Sequence, residues 1–275
     1  MERLLDLPHR GRLRVLDLPG PPGAPVVVLL HGLAATSALN WGPSLQALAQ
    51  DFRVLAPDHR GHGGGLPLRA PFRLEKCADD IAALTEFLQI DRFVAVGYSM
   101  GGAIAQLTWR RHRERVAGLV LCATAARFAS SRQRQASYLI QPFASIAARG
   151  APDSFWKAQA QRMLENVPDP DRRRHLAAEI EGTQPAAIIE AAGALARFDS
   201  RLWLRDVDVP TTVVATQFDR HVPLERQLEM AEAIPESAVR RIDANHYACV
   251  AQASLFVPEL REACREVSAQ PAVVT

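Results

Sequence analysis

The 275-residue sequence is poor in lysine and in aromatic side chains. Lysine occurs only as Lys76 and Lys157, and phenylalanine, tryptophan and tyrosine together make up 6% of the chain. Arginine supplies nearly all of the positive charge, yet the formal net charge is only +2 and no block of arginines is interleaved with aromatic residues. A nucleic-acid-binding surface needs such a stretch, so we expect no nucleic-acid partner.

Long apolar runs and regularly spaced cysteines are also missing. The four cysteines (Cys77, Cys122, Cys249 and Cys264) show no C-x-x-C or other metal-ligand spacing, so we expect reduced thiols and no metal or other cofactor. No apolar stretch approaches the roughly 20 residues that cross a bilayer. The amino-terminal MERLLDLPHRGR is charged and interrupted by proline, unlike the apolar region of a signal peptide. We therefore expect a cytoplasmic protein without membrane contact.

Short apolar runs alternate with longer helical patterns along most of the chain. The expected strands are Arg12–Leu16, Val26–Leu30, Arg53–Ala56, Phe93–Val96, Val116–Cys122, Thr212–Thr216 and Val239–Ile242. The expected helices are Pro43–Gln50, Leu74–Leu88, Met100–Arg111, Leu224–Ala233 and Ser254–Glu266. This alternation predicts βαβ units and a mostly parallel sheet, and the continuous apolar strands indicate helices on both of its faces.

The region from about Thr124 to Trp203 interrupts the alternation, because it contains helical stretches and breakers but no convincing strand. We expect residues 1–123 and 204–275 to form an α/β core, with residues 124–203 inserted as a helical cap. The apolar cap residues at helical spacing are expected to pack mainly against the core. The same region holds three arginines that could meet an acidic substrate group but that we expect to be solvated, namely Arg127, Arg132 and Arg134.

The stretch FVAVGYSMGGAIAQ, residues 93–106, places one serine among three glycines. Its centre fits G-x-S-x-G, with an expected strand before it and an expected helix after it. A nucleophile on such a turn has a strained backbone, and Gly97 and Gly101 would remove the side chains that otherwise collide there. The helix's unsatisfied N–H groups would face the negative charge that forms in acyl transfer. The pattern therefore predicts that Ser99 is a catalytic nucleophile rather than part of a structural turn.

A catalytic serine needs a base, and the base needs an orienting acid. Asp219 lies just beyond the expected strand TVVAT, at the edge where the functional groups of open α/β sheets collect. Asp206 and Asp208 precede that strand and are expected at the opposite edge. His246 follows the strand-like VRRI and is the preferred base. His221, two residues from the preferred acid, is its rival.

Two further strand ends carry turns that bear on the site. The turn HGL follows VVVLL, so the backbone N–H groups of Leu33 and Met100 are expected to form an oxyanion hole. His31 is expected to fix that turn rather than to perform chemistry. In the second turn, APDHRGHGGG, three residues are expected to brace the loop rather than to bind a metal, namely Asp58, Arg60 and His62.

The ordered motifs HGL, DHRGHG, GYSMGG, FDRHVP and NHY resemble the cap-bearing serine hydrolases of the α/β-hydrolase superfamily, in particular esterases and 3-oxoadipate enol-lactonase-like enzymes. The resemblance covers nearly the whole chain and implies a mostly parallel eight-stranded sheet with helices on both faces and an inserted helical cap. It gives Ser99, Asp219 and His246 the nucleophile, acid and base positions. The sequence departs at Asn245 and Thr216, where the family commonly has glycine, and at Gly64, where serine is frequent.

The resemblance also implies a reaction class. Epoxide hydrolases and haloalkane dehalogenases of the superfamily carry aspartate at the position that matches Ser99. The serine therefore favours hydrolysis of a small or medium carboxylic ester, thioester or lactone through an acyl-enzyme. Hydrolysis of a carbon–carbon bond in a vinylogous diketone, perhydrolysis as a side activity, and a non-catalytic ligand-binding or receptor role remain alternatives. The expected substrate-contacting residues are Trp41, Tyr98, Phe143 and Val222.

Overall fold

A computed structural model describes residues 1–150 and 183–269, together with the isolated positions 152, 154, 158, 174 and 177. Within these residues one eight-stranded sheet has the order β1-β2-β4-β3-β5-β6-β7-β8. Its strands are β1 (Glu2–Leu7), β2 (Gly11–Leu18), β3 (Val26–Leu30), β4 (Arg53–Pro57), β5 (Phe93–Tyr98), β6 (Val116–Cys122), β7 (Thr211–Thr216) and β8 (Ala238–Ile242). β2 is antiparallel to both of its neighbours and the other pairs are parallel. The predicted fold class is therefore confirmed.

The strand that the sequence patterns did not place is β1. Its residues Glu2–Leu7 (ERLLDL) mix charged and apolar side chains, and only Leu5 and Leu7 are buried. β1 lies at the edge of the sheet and pairs with β2 alone. An edge strand with one exposed face lacks the continuous apolar run that marks a central parallel strand.

The described helices are α1 (Ser37–Leu48), α2 (Leu74–Phe87), α3 (Met100–Arg111), α4 (Ser131–Gly150), α5 (Pro185–Arg197), α6 (Leu224–Ala233), α7 (Ala248–Ala251) and α8 (Ala253–Ala269). The prediction that the first helix begins at Pro43 was wrong by two turns. Thr36 caps α1, because its side-chain oxygen accepts a hydrogen bond from the N–H of Leu39 at 3.2 Å, and Pro43 lies inside the helix. In the described part of the chain, no helix combines the length and apolar character needed to cross a membrane.

Helices pack on both faces of the sheet because its central strands are apolar on both sides. In β3, Val28 and Leu30 belong to one buried cluster, whereas Val27 and Leu29 belong to another. The first cluster also contains apolar residues of α2 and α3, and the second contains those of α1 and α8. This is the two-sided burial that the continuous apolar runs predict.

Two described helices, α4 and α5, lie between β6 and β7 along the chain and pack against each other. The ends of this segment meet at the core: Arg127 and Asp199 form an isolated antiparallel bridge, and the N–H of Ser200 donates to the carbonyl of Ala126 at 2.9 Å. The division of the chain into a core and a cap at residues 124–203 remains a prediction. The side chain of Phe143 and most of residues 151–182 lie outside the described residues.

The turn between β5 and α3 depends on a close approach of two backbones. A Cβ atom added to Gly101 would lie 1.9 Å from the carbonyl oxygen of Leu30, at the end of β3. A Cβ added to Gly97 would lie 2.3 Å from the carbonyl oxygen of Gly101 itself. Both positions therefore need glycine, as the sequence predicts for a sharp strand-to-helix turn.

We predict that Gly101→Ala lowers the free energy of unfolding by about 3 kcal/mol or more, because neither backbone can retreat from the added methyl group. Gly42→Ala is the matched control. Gly42 is exposed in α1 and an added Cβ meets no atom within 4 Å, so alanine should stabilise that helix by up to about 1 kcal/mol. Urea unfolding followed by circular dichroism measures both effects. An unfolding midpoint for Gly101→Ala equal to that of the wild type would contradict the packing.

Candidate active site

The backbone of Ser99 is strained at the tip of the turn. Its φ is 52° and its ψ is −115°, a conformation that costs roughly 1–3 kcal/mol and persists only where neighbouring structure enforces it. Two hydrogen bonds from the end of β6 do so: the N–H of Ser99 donates to the carbonyl of Cys122 at 2.9 Å, and the hydroxyl of Thr124 donates to the carbonyl of Ser99 at 2.7 Å. The turn therefore presents the serine immediately before the first residue of α3.

The structure brings Ser99, His246 and Asp219 together from three separate loops. The distance from His246 Nε2 to Ser99 Oγ is 3.1 Å, and the distance from His246 Nδ1 to Asp219 Oδ2 is 2.6 Å. A carboxylate accepts a hydrogen bond from Nδ1–H, and this tautomer leaves the lone pair of Nε2 facing the serine hydroxyl. The arrangement can remove the serine proton during nucleophilic attack.

The carboxylate of Asp219 is fully buried but well supplied with donors. One oxygen accepts from the N–H groups of His221 and Val222, each at 2.8 Å, and the other accepts from the hydroxyl of Thr216 at 2.8 Å in addition to His246. Burial raises the pKa of Asp219, but the hydrogen bonds from His246, Val222 and Thr216 outweigh it and hold the pKa below its ordinary value. The group is therefore ionised at neutral pH.

Two residues that support the acid were not singled out as functional by the sequence patterns. Thr216 stands out in the sequence only as a departure from the glycine common in the family, yet its hydroxyl binds Asp219. Gln227, on α6, donates to the carbonyl of Thr216 at 3.3 Å and to that of Val222 at 2.7 Å, and accepts from the N–H of Thr216 at 3.1 Å. The polar residue that ends the apolar strand TVVAT was an available signal, whereas nothing in the sequence marks Gln227.

His221 lies beside His246 without replacing it. The two ring centroids are 4.9 Å apart, and His221 Nε2 lies 3.2 Å from the hydroxyl of Tyr247. Among the described contacts of Ser99 Oγ, the imidazole is that of His246. The geometry thus favours His246 over His221 as the base.

The structure places two of the expected substrate-contacting residues in the core behind the histidine. Trp41 is completely buried and packs edge-on against the ring of Tyr98, with centroids 6.1 Å apart. Tyr98 is 2% exposed and donates from its hydroxyl to the carbonyl of His246 at 2.8 Å. Both therefore support the loop that carries His246 from the core side, and neither lies on the surface that a substrate would reach. Val222 is also buried and contributes its backbone N–H to Asp219.

The turn at residues 31–33 lies directly against the nucleophile. A Cβ atom added to Gly32 would lie 3.6 Å from the Cβ of Ser99. His31 Nε2 accepts from the N–H of His59 at 2.9 Å, so its Nδ1 carries the proton and donates to the carbonyl of Gly32 at 2.8 Å. The N–H of Gly32 donates to Asn40 Oδ1 at 2.9 Å. The expected role of His31 in fixing this turn agrees with these bonds.

The loop at residues 58–65 is braced by its own charges. Asp58 accepts from the N–H of Ser37 at 2.8 Å and from the guanidinium of Arg14 at 2.7 Å, and Arg60 forms two hydrogen bonds with Asp80. Burial lowers the pKa of His62 to about 3, so this histidine is neutral. Within the described ranges, no group of three or more histidine, cysteine or acidic side chains is arranged to hold a metal ion.

The strand order, the strained serine turn and the histidine and aspartate at the neighbouring strand ends define a class of protein. The chain belongs to the α/β hydrolase fold family, whose model matches residues 25–251. Among curated proteins it is 30% identical over 237 residues to RutD of Rhizobium rhizogenes, provisionally assigned as a carbamate hydrolase, and the match covers 82% of this chain and 87% of that protein.

Two further relatives are hydrolases of acyl compounds by name. The chain is 31% identical over 230 residues to the pimeloyl-[acyl-carrier protein] methyl ester esterase of Aromatoleum aromaticum. This match covers 80% of this chain and 89% of the esterase. Among solved structures, the enol-lactonase of Burkholderia xenovorans superposes with a TM-score of 0.79 at 25% identity, over 96% of this chain and all of the lactonase. The resemblance expected from the motifs is therefore confirmed at the level of the family.

The bond from Thr216 to Asp219 yields a pH-dependent prediction. Thr216→Val should lower the free energy of unfolding at pH 7 by about 1–2 kcal/mol, because a buried carboxylate loses a donor. The depressed pKa of Asp219 stabilises the fold fully above its unfolded value of about 3.9, and this contribution disappears as the pH falls through the folded value. The variant should raise the folded pKa, so its difference from the wild type should narrow below about pH 4.

Urea unfolding between pH 3 and 7 measures this difference. Thr211→Val is the matched control, because Thr211 is equally buried in β7 and donates to the carbonyl of Val209, away from the acid. Its effect should not change with pH. A Thr216→Val effect that is equally independent of pH would contradict the role of the hydroxyl.

Proposed function

We propose that the protein hydrolyses a small to medium carboxylic ester, thioester or lactone through an acyl-enzyme on Ser99. The observation that carries this proposal is the unbroken line of contacts from Ser99 Oγ through the imidazole of His246 to the carboxylate of Asp219, at 3.1 and 2.6 Å. Such a line lets serine act as a nucleophile at neutral pH, which an isolated hydroxyl does not.

The steps follow from this geometry. Ser99 Oγ attacks the carbonyl carbon while its proton moves to His246 Nε2, and Asp219 stabilises the imidazolium. The tetrahedral intermediate collapses as the imidazolium donates that proton to the leaving oxygen or sulfur. Water then attacks the acyl-enzyme with His246 again acting as base, which releases the acid and restores the serine.

The negative oxygen of the intermediate needs donors that are held in place before the reaction. We propose the backbone N–H groups of Leu33 and Met100 for this role. Met100 is the first residue of α3, whose opening N–H groups have no partner within the helix. Among the described residues, neither N–H has an acceptor. The positive end of the helix dipole adds to the stabilisation.

The names of the relatives support the same reaction class. A carbamate hydrolase, a methyl ester esterase and an enol-lactonase all cleave a bond between a carbonyl carbon and a heteroatom. A purely ligand-binding protein would not need a base and an oriented acid beside a strained serine. We also propose that residues 124–203 act as a cap that limits substrate size, and that the protein works in the cytoplasm, which the four buried thiols without disulfide partners favour.

The proposal predicts that Ser99→Ala and His246→Ala each reduce kcat on short activated esters by about 10⁴-fold or more, because each removes a member of one catalytic unit. His221→Ala should retain activity within about tenfold of the wild type, since its imidazole does not contact the serine. Initial rates on p-nitrophenyl acetate and butyrate, with circular dichroism as the folding control, provide the measurement. Loss of activity in His221→Ala with retention in His246→Ala would show that the base is misassigned.

Asn40 extends the proposal to the turn that carries Leu33. Asn40 is 3% exposed, and its Oδ1 accepts a hydrogen bond from the N–H of Gly32. Gly32 directly precedes Leu33, the proposed oxyanion-hole donor. We predict that Asn40→Ala lowers kcat by about 10- to 100-fold with KM nearly unchanged, because a loosened turn weakens binding of the transition state more than that of the substrate. Asn40→Asp keeps the acceptor oxygen and should recover part of the loss.

Ser44→Ala is the matched control for Asn40. Ser44 lies one turn further along α1, is buried, and its hydroxyl has no hydrogen-bond partner among the described residues. Its variant should keep the kcat of the wild type. Equal kcat values for Asn40→Ala and Ser44→Ala would contradict a role for Asn40 in holding the turn.

A further inference from the structure

The segment that follows β6 runs along the active edge of the sheet. Thr124 hydrogen-bonds the carbonyl of Ser99, and the carbonyl of Phe128 accepts from the guanidinium of Arg226 at 2.6 Å, on the helix that follows the Asp219 loop. Residues 124–128 therefore run from the turn that carries Ser99 to α6, the helix that follows the loop of Asp219. Arg127 lies within this segment.

Arg127 lies between two residues that pack against the core. Its backbone forms the isolated bridge to Asp199, and the chain bends at the residues on either side of it, 126 and 128. Ala126 belongs to the buried cluster on the α3 face, and Phe128 packs against the same cluster and contacts the ring of Phe198. The contacts of its two neighbours therefore fix the position of Arg127 along the active edge of the sheet.

Among the described residues, Arg127 is a half-buried cation without a counter-ion. Its Nε is buried and has no hydrogen-bond partner, and no ion pair joins the side chain to another described residue. Every other partly buried arginine in the described ranges has a partner. Asp199, the acid across the bridge, does not pair with Arg127. It instead accepts hydrogen bonds from Arg134 and Arg201 at 2.7 to 2.9 Å.

The structure also separates the three arginines that the sequence groups together. Arg134 forms an ion pair with Asp199, and Arg132 is exposed in the first turn of α4. Arg127 differs from both, because its Nε is buried from water and has no partner in the part of the chain that the structure describes. Burial of an unpaired donor of a charged group is unfavourable, and a ligand that supplies the acceptor would remove that cost.

We propose that Arg127 binds a carboxylate of the substrate, so that the preferred substrates are esters, thioesters or lactones that carry a second, ionised carboxyl group. The proposal rests on the proposed hydrolase function and adds the chemical class of its substrate. A guanidinium matches a carboxylate with two parallel hydrogen bonds, and this geometry would orient the reacting carbonyl as well as add affinity.

The test compares charged and neutral esters of equal chain length. Monomethyl succinate, glutarate and adipate are assayed beside methyl butanoate, pentanoate and hexanoate, with the wild type and with Arg127→Gln, Arg127→Lys and Arg132→Gln. For at least one length, the wild type should favour the charged ester. Arg127→Gln should lower kcat/KM for that ester by about tenfold or more, because it loses a charge-assisted pair, and should change the neutral ester by less than about twofold.

The two remaining variants sharpen the result. Arg127→Lys should retain part of the preference, since lysine supplies the charge without the planar fork. Arg132→Gln should change neither substrate. Activity on the neutral esters shows that each variant is folded and that the hydrolase function stands.

The outcomes separate the two proposals. If the wild type hydrolyses neutral esters but shows no preference for a charged ester at any length, or if Arg127→Gln lowers both kinds of ester equally, the carboxylate proposal is wrong and the hydrolase function survives. If the wild type hydrolyses neither kind and Ser99 does not react with an acylating or phosphonylating reagent, the proposed function itself is wrong.

Discussion

The carboxylate of Asp219 accepts four hydrogen bonds in a position where its side chain does not reach water, and the loops of the candidate site are arranged around it. The N–H groups of His221 and Val222 donate to it from its own loop, and the hydroxyl of Thr216 donates to it from the end of β7. Gln227 in turn hydrogen-bonds the backbone of Thr216. An ionised carboxylate buried here without these donors would destabilise the fold by several kcal/mol. Because the donors are present, the same group orients His246, so the stability of the loop and the direction of the imidazole have one cause.

The second constraint is the crowded junction at Ser99. Gly101 lies against the carbonyl of Leu30, and hydrogen bonds from the β6 end hold the serine backbone at a positive φ. The strain is tolerated because β3, β5 and β6 are central strands covered on both faces, so the sheet cannot relax away from the turn. The nucleophile, the 31–33 turn and the Arg127 segment thus all leave the sheet at one edge, where a single substrate could contact them.

Much of this arrangement was predictable from the sequence because its signals are local. Continuous apolar runs marked the central strands, and the glycines around Ser99 reported a steric need that belongs to the turn alone. The positions of Asp219 and His246 after strand-like runs placed them at the same edge. Features that depend on tertiary contacts could not be predicted. The mixed charged and apolar residues of β1 do not indicate a strand, and nothing in the sequence around Gln227 indicates its contact with the acid loop. Trp41 and Tyr98 lie in the core, although their sequence positions suggested contact with the substrate. Asp199 binds Arg134 and Arg201 and leaves Arg127 without an acidic partner among the described residues, and no sequence pattern indicates this pairing.

Covalent labelling of Ser99 tests the proposed acyl-enzyme chemistry, because only an activated serine beside a preorganised oxyanion site reacts rapidly with a fluorophosphonate. The native protein is incubated with the reagent at pH 6, 7 and 8, and intact-mass and peptide mass spectrometry locate the adduct. We expect one adduct per chain, on Ser99, that is lost in His246→Ala and after denaturation in urea. A folded native protein that remains unlabelled at all three pH values, or that is labelled equally well in His246→Ala, would contradict it.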